Sequence, residues 1–174
     1  PHLPPKARVA IDALAAELTA TPDEPDAIER VGADPALLPS PAWAKQIRHY
    51  LSSPPEQVAD AIADPALLAA WAYDARKSEA DDSGETIRHT AGRRTMTVRA
   101  HHTRRREGDA DVVTWIQEMV DGPHAGQPLR YDRFAILSAP GGAELVHTAG
   151  QRSFGLLGRL AAPLSGWFSG VGMT

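Results

Sequence analysis

Residues 85–150 form a succession of short segments in which polar and apolar side chains alternate, separated by turns that contain Gly, Pro and Asp. Alternation with a period of two is typical of β-strands that bury one face, and the Gly and Pro residues mark the turns. Five strands are predicted, at residues 85–91, 95–104, 111–120, 129–138 and 143–150. Strands joined by such short turns must pair antiparallel. The sequence therefore predicts one antiparallel sheet built from hairpins.

Helical patterns flank this run of strands. A first strand is predicted at residues 46–51, and Ser53 then caps a short helix, with two prolines in its first turn and Glu56 completing a capping box. A second short helix begins at Asp64, and a last helix is predicted over residues 153–168. The predicted fold class is α+β, in which a curved antiparallel sheet wraps around the C-terminal helix and buries one face against it.

Residues 1–43 are predicted to form a helical N-terminal extension, and residues 44–174 the main domain. Apolar residues recur at helical spacing over residues 6–18. A short second helix is predicted at about residues 26–31, and Asp34, followed by a proline, is a typical start for a third helix.

Composition limits the classes of protein to which this chain could belong. With 174 residues, 43% of them hydrophobic, it is long enough to bury a core as one domain. The absence of Cys excludes disulfide frameworks, thiolate catalysis and Cys-ligated metals. The seven His residues show no ligand spacing, so we predict neither a metal nor a cofactor. No apolar stretch approaches the roughly 20 residues of a membrane span, and we expect a cytoplasmic protein with a bacterial-like composition.

Arginines are concentrated between residues 88 and 106. A nucleic-acid surface is one interpretation of this cluster, and solvated strand faces with a charged hairpin tip are the other. The second is favoured because the net charge of the chain is −4 and no aromatic residues are interleaved for base stacking. We therefore predict no nucleic-acid partner.

Two segments carry a resemblance to a known superfamily. The string SSPPEQV at residues 52–58, followed by IADP at residues 62–65 and by Trp71, stands directly after the first strand, and FAILSAPGGAEL at residues 134–145 has the layout of a penultimate hairpin. Both resemble the START-like helix-grip superfamily, also called SRPBCC or polyketide cyclase/dehydrase-like, over about residues 45–168. This resemblance implies a cavity between the sheet and the last helix, which holds hydrophobic or aromatic small molecules.

We therefore expect a binding protein for a hydrophobic small molecule, either aromatic or lipid-like. An enzyme of the polyketide cyclase/aromatase or dehydratase type is the alternative, so the sequence leaves open whether the chain catalyses a reaction. A second alternative is a module that binds a protein partner, or forms a homodimer, through the arginine-rich hairpin at residues 104–106 or the apolar C-terminal tail.

The candidate cavity residues are those that alternation places on one face of each strand, together with aromatic residues near the expected cavity mouth. They are Trp71, Tyr73, Met96, Val98, His102, Trp115, Gln117, Met119, Phe134, His147 and Trp167. If the chain is an enzyme, the candidates to transfer protons or stabilise an enolate are His102, Tyr131 and Arg133.

Alternative interpretations stay open for several of these residues. His102 and His147 are either ligand contacts or core histidines with a hydrogen-bonding neighbour. Trp115 is either a core side chain or a platform for a cofactor, two roles that coincide in a helix-grip cavity. Glu118 and Arg133 are either an outward ion pair or buried polar groups of the pocket.

Strand 111–120 is largely apolar on both faces, so we expect the N-terminal extension or a second subunit to cover its outer face. A chain that lacks residues 1–43 should therefore unfold at a lower temperature or change its oligomeric state, as calorimetry and light scattering would report. Undiminished thermal stability with an unchanged oligomeric state would contradict this expectation.

Overall fold

Long antiparallel hairpins dominate the computed structural model, which describes residues 29–39, 42–65, 78–80, 86–91 and 94–152. These residues contain eight strands and one helix. In chain order they are β1 (Glu29–Val31), β2 (Ala42–Leu51), α1 (Pro55–Ile62), β3 (Ser78–Ala80), β4 (Thr86–Ala91), β5 (Arg94–Glu107), β6 (Ala110–Met119), β7 (Pro128–Ala139) and β8 (Gly142–Arg152). All five predicted strands of the second half are confirmed, as are the first strand and the α+β class.

The strands form one sheet in the order β1-β2-β8-β7-β6-β5-β4-β3, and every neighbouring pair is antiparallel. Hairpins account for the run from β3 to β8, because the turns between these strands are short. The turn between β5 and β6 needs Gly108, whose φ is +59°, and the turn between β7 and β8 places Gly141 at φ +83° directly after Pro140. The β2–β8 pair is different, because it joins strands from opposite ends of the described chain.

The structure corrects two predictions in the first 43 residues. Residues 29–31 are not helical but form β1, in which Val31 pairs with Ala44 of β2. The predicted third helix is a single turn, in which the Asp34 carbonyl accepts hydrogen bonds from the amides of Leu37 and Leu38. Its start was predicted correctly, since the Asp34 carboxylate accepts a hydrogen bond from the Ala36 amide at 2.9 Å. Pairing with a long neighbouring strand therefore outweighs the weak local preference for helix.

The predicted capping box is also wrong. Helix α1 begins at Pro55 with Pro54 as its N-cap, and no side chain caps it. The helix predicted from Asp64 onward lies almost wholly outside the described residues, as do those predicted over residues 6–18 and 153–168. The wrapping of the sheet around a C-terminal helix, and the division into an extension and a domain, stay predictions. None of the helices in the described ranges combines the length and apolarity that crossing a membrane requires.

Helix α1 packs on one side of the sheet, which we call the helix-facing side. The buried side chains of this contact come from α1 and from β2, β5, β6, β7 and β8; they are Leu51, Val58, Ala59, Ile62, Val98, Ala100, Val113, Trp115, Phe134, Ile136, Ala143 and Leu145. The Trp115 indole N–H donates a hydrogen bond of 2.8 Å to the carbonyl of Ile62, the last residue of α1. This bond ties β6 to the C-terminal end of α1.

A smaller buried cluster lies on the opposite side of the sheet. Its centre is Leu38, Ala44 and Tyr131, with Val31, Leu37 and Ile116 among the side chains that pack against it. The Tyr131 hydroxyl accepts a hydrogen bond of 3.2 Å from the Asp34 amide. Part of the N-terminal extension thus covers the outer face of β6 at Ile116, as β1 and the turn that follows it rather than as a helix.

Close contact between Tyr131 and Gly150 yields a stability prediction. The Tyr131 ring lies across its cross-strand partner Gly150, where a Cβ atom would overlap ring carbons. Gly150→Ala should lower the free energy of unfolding by about 1–3 kcal/mol, because the ring or the strand must move. Gly32→Ala is the matched control, since no atom lies within 4 Å of a Cβ there. Equal stability of the two variants in urea denaturation would contradict the packing described here.

Candidate functional site

The helix-facing side is apolar where α1 covers it and polar farther along the same strands. Cross-strand registers place Val113, Phe134, His147 and Ile47 in one row of β6, β7, β8 and β2. The next row away from α1 contains Trp115, Asp132, Ala149 and Lys45, and the third contains Gln117, Arg130, Gln151 and Trp43. Residues directly opposite each other in a sheet share a face. Four polar side chains therefore meet here, which we call the polar cluster: Gln117, Arg130, Asp132 and His147.

Asp132 is the centre of the polar cluster and is completely buried, with 0% of its surface exposed. Arg130 donates two hydrogen bonds of 2.7 Å to its carboxylate, and the Gln117 amide donates one of 3.3 Å. The His147 Nε2 atom lies 3.0 Å from Asp132 Oδ1. Burial alone would raise the pKa of Asp132, but Arg130 and His147 outweigh it and hold that pKa well below its ordinary value. The carboxylate is therefore ionised at neutral pH.

His147 is buried between the carboxylate and an aromatic ring. It is 1% exposed, and its ring stacks on Phe134 with 4.5 Å between centroids and 10° between planes. Burial lowers the pKa of His147 more than the attraction of Asp132 raises it, so the imidazole is neutral at pH 7. A neutral ring at this distance from a carboxylate donates its Nε2–H, which makes Nδ1 the basic nitrogen. The pair can thus orient an imidazole for hydrogen bonding or proton transfer.

Two further polar residues of β2 are buried on the same side. Lys45 is 4% exposed and His49 is 9% exposed, one on each side of Ile47 along the alternation of the strand. Burial, and secondarily the charge that His147 would carry, lower the pKa of His49. Within the described residues, His49 Nδ1 has no hydrogen-bond partner. Neither residue was among the predicted site residues, because the sequence predicted only a strand at residues 46–51.

The structure brings three of the predicted cavity residues together, namely Gln117, Phe134 and His147, and adds Arg130 and Asp132 to them. Val98 and Trp115 are buried on the same side, and Met119 packs partly buried against the same core. His102 is exposed, and the centroid of its ring lies 4.4 Å from that of Trp115. The pKa of His102 is lowered, first by the partial burial of its ring and second by the charge of His101. Trp71, Tyr73 and Trp167 lie outside the described residues, and Met96 is described only as part of β5.

The three side chains predicted for catalysis do not converge on one site. Alternation places Tyr131 and Arg133 on the side of the sheet opposite to the polar cluster. Tyr131 is buried there, and burial raises its pKa. Arg133 forms an ion pair of 2.5 Å with Glu107, so its pairing with Glu118 was wrong. The register explains this, because Arg133 lies opposite Thr114, four residues before Glu118.

The arginine-rich hairpin tip is engaged in contacts within the chain. Arg104 bonds to Asp111 at 2.5 Å and to Asp60 of α1 at 2.7 Å, and these hydrogen bonds raise its pKa. Arg105 bonds to Glu107 at 2.6 Å, and Arg106 donates to the Gly108 carbonyl. Carboxylates of the same chain thus offset much of the positive charge of the tip. No cluster of three or more potential metal ligands occurs within the described ranges.

Comparison with known proteins supports the fold and leaves the family unassigned. No family model and no curated protein matches the chain. Ms6760 from Mycobacterium smegmatis is 13% identical, with 84% of this chain and 91% of that chain covered and a TM-score of 0.50. A protein from Rhodobacter sphaeroides is 16% identical over 84% and 90% of the two chains, with a TM-score of 0.46. CalU16 from Micromonospora echinospora is 18% identical over 73% and 70%, with a TM-score of 0.39. The likeness to Ms6760, at 13% identity, concerns the fold alone.

Removing the charge of Asp132 should destabilise the chain strongly. Asp132→Asn removes the buried carboxylate charge that accepts two hydrogen bonds from Arg130, so the free energy of unfolding should fall by about 3 kcal/mol or more. Asp109→Asn, in the exposed turn between β5 and β6, is the matched control and should change it by less than about 0.5 kcal/mol. Urea denaturation at pH 7 compares the two. Similar losses in both variants would show that the polar cluster does not stabilise the fold.

Proposed function

We propose that the chain binds a hydrophobic small molecule, aromatic or lipid-like, on the helix-facing side of the sheet. The predicted helix at residues 153–168 would enclose the ligand from the other side. Burial of apolar ligand surface contributes about 25 cal/mol per Å². A few fixed polar groups then orient the ligand, as is usual in small-molecule sites.

The observation that carries this proposal is the buried polar cluster next to the apolar core under α1. Asp132 is held ionised by Arg130 and His147, it accepts a further hydrogen bond from Gln117, and it orients His147, which stacks on Phe134. Such a preorganised group beside aromatic side chains suits a ligand with an apolar body and one polar substituent. The START-like helix-grip assignment is part of the same proposal, and the order of long strand, helix and antiparallel hairpins supports it.

An enzyme of the polyketide cyclase/aromatase or dehydratase type is the second candidate. The Asp132–His147 pair favours it, because a carboxylate that orients a neutral imidazole is a common arrangement for proton transfer. In that case His147 would take the role that the sequence suggested for His102, Tyr131 or Arg133. The contacts of Arg104 and Arg105 within the chain speak against the third candidate, a partner-binding module that uses this hairpin.

Titration with 2-methoxynaphthalene, followed by its fluorescence, tests the binding function. The chain should bind this apolar bicyclic probe saturably at one site, and Phe134→Leu should weaken binding about fivefold through loss of an aromatic contact. Tyr50→Leu is the matched control, because Tyr50 is 72% exposed on the opposite side of the sheet. Absence of saturable binding, or equal weakening by both substitutions, would contradict the proposed function.

A further inference from the structure

His49 is the buried imidazole whose role the polar cluster does not explain. It lies in β2 opposite Leu145, and Leu145 belongs to the core under α1, so its side chain points to the helix-facing side. Only 9% of its surface is exposed, yet its Nδ1 atom has no hydrogen-bond partner among the described residues. Buried side-chain nitrogens in native proteins are usually hydrogen-bonded. An unsatisfied one beside a binding surface indicates a partner that arrives with a ligand.

We propose that His49 is the polar anchor of this binding site and that the ligand carries a hydroxyl group on its apolar body. This inference rests on the proposed binding function and names the chemical class of its ligand, an aromatic or alicyclic alcohol or phenol. The ligand O–H donates a hydrogen bond to Nδ1 of His49, and the apolar body extends along the row of Ile47, His147 and Phe134.

The surroundings of His49 favour a hydroxyl over a charged group. The charged or titratable side chains on this side of β2, β8 and β7 are Lys45, Arg130, Asp132 and His147. A charged ligand group would lose its hydration at this buried place, and the neutral imidazole of His49 offers it no opposite charge in return. A hydroxyl carries no charge, and its O–H can donate to the Nδ1 atom of a neutral imidazole that carries its proton on Nε2. Burial keeps His49 neutral by lowering its pKa.

Two probes that differ in one group test the proposal, namely 2-naphthol and 2-methoxynaphthalene. They share the same rings, but only 2-naphthol has an O–H donor. The methyl group makes 2-methoxynaphthalene the more apolar of the two, so a site without a polar anchor binds it more tightly. With His49 as anchor, the chain should instead bind 2-naphthol about tenfold more tightly, which is the usual value of one hydrogen bond.

Substitutions at position 49 test whether the imidazole causes the preference for 2-naphthol over 2-methoxynaphthalene. His49→Leu should abolish the tenfold preference and leave the affinity for 2-methoxynaphthalene within about twofold. His49→Asn keeps a polar atom near the position of Nδ1 and should retain part of the preference. His101→Leu is the matched control, because His101 is exposed on the opposite side of the sheet, and it should leave the preference unchanged.

The outcomes separate this inference from the function on which it rests. If neither probe binds, the binding function fails and the inference fails with it. If both bind and 2-methoxynaphthalene is preferred, or if His49→Leu keeps the preference for 2-naphthol, only the inference is overturned. Should His49→Leu not fold, nitrogen NMR of the wild-type chain decides. In that case the NMR signals of the His49 ring nitrogens must shift when 2-naphthol is added and must not shift when 2-methoxynaphthalene is added.

Discussion

The pairing of β2 with β8 is the constraint on which the rest of the structure depends. Ten consecutive residue pairs, from Ala42 with Arg152 to Leu51 with Ala143, join segments about 100 residues apart. This pairing adds β2 to the sheet that the hairpins form. It also fixes the end of β2 at Leu51, from which the chain continues into α1 on one side of the sheet. It also places Lys45 and His49 beside the residues of β7 and β8. Such a contact costs much chain entropy and forms only when both partners are present.

The hairpins could be predicted from sequence because their determinants are local. Gly108 and the Pro140-Gly141 pair occupy the turns that connect strands of clear alternation. The failures have the opposite cause. β1 and β3 have three residues each, too few to show a period, and β1 exists through its pairing with β2. The predicted capping box failed because sequence spacing alone does not establish that a hydrogen bond forms.

The candidate site could be predicted only in part. Alternation placed Gln117 and His147 on strand faces that carry apolar residues, but it did not show which face of each strand is inside. Asp132 and Arg130 were missed, because a charged residue in an isolated strand is more often exposed than buried. Only the register of β6, β7 and β8 reveals that Asp132 has three donors within reach. The charges are buried because they satisfy one another.

The hydrogen bonds within the polar cluster also help to determine the register of the strands. A slip of β7 by one position would turn Asp132 to the side where Tyr131 now lies and would separate it from Gln117 and His147. Apolar side chains lose less stability in such a slip, because their contacts do not depend on direction as hydrogen bonds do. An ionised carboxylate among fixed donors does not, because it would lose its partners while still out of water. The polar cluster therefore favours one register of β6, β7 and β8, because every other register would leave a buried carboxylate without its hydrogen bonds.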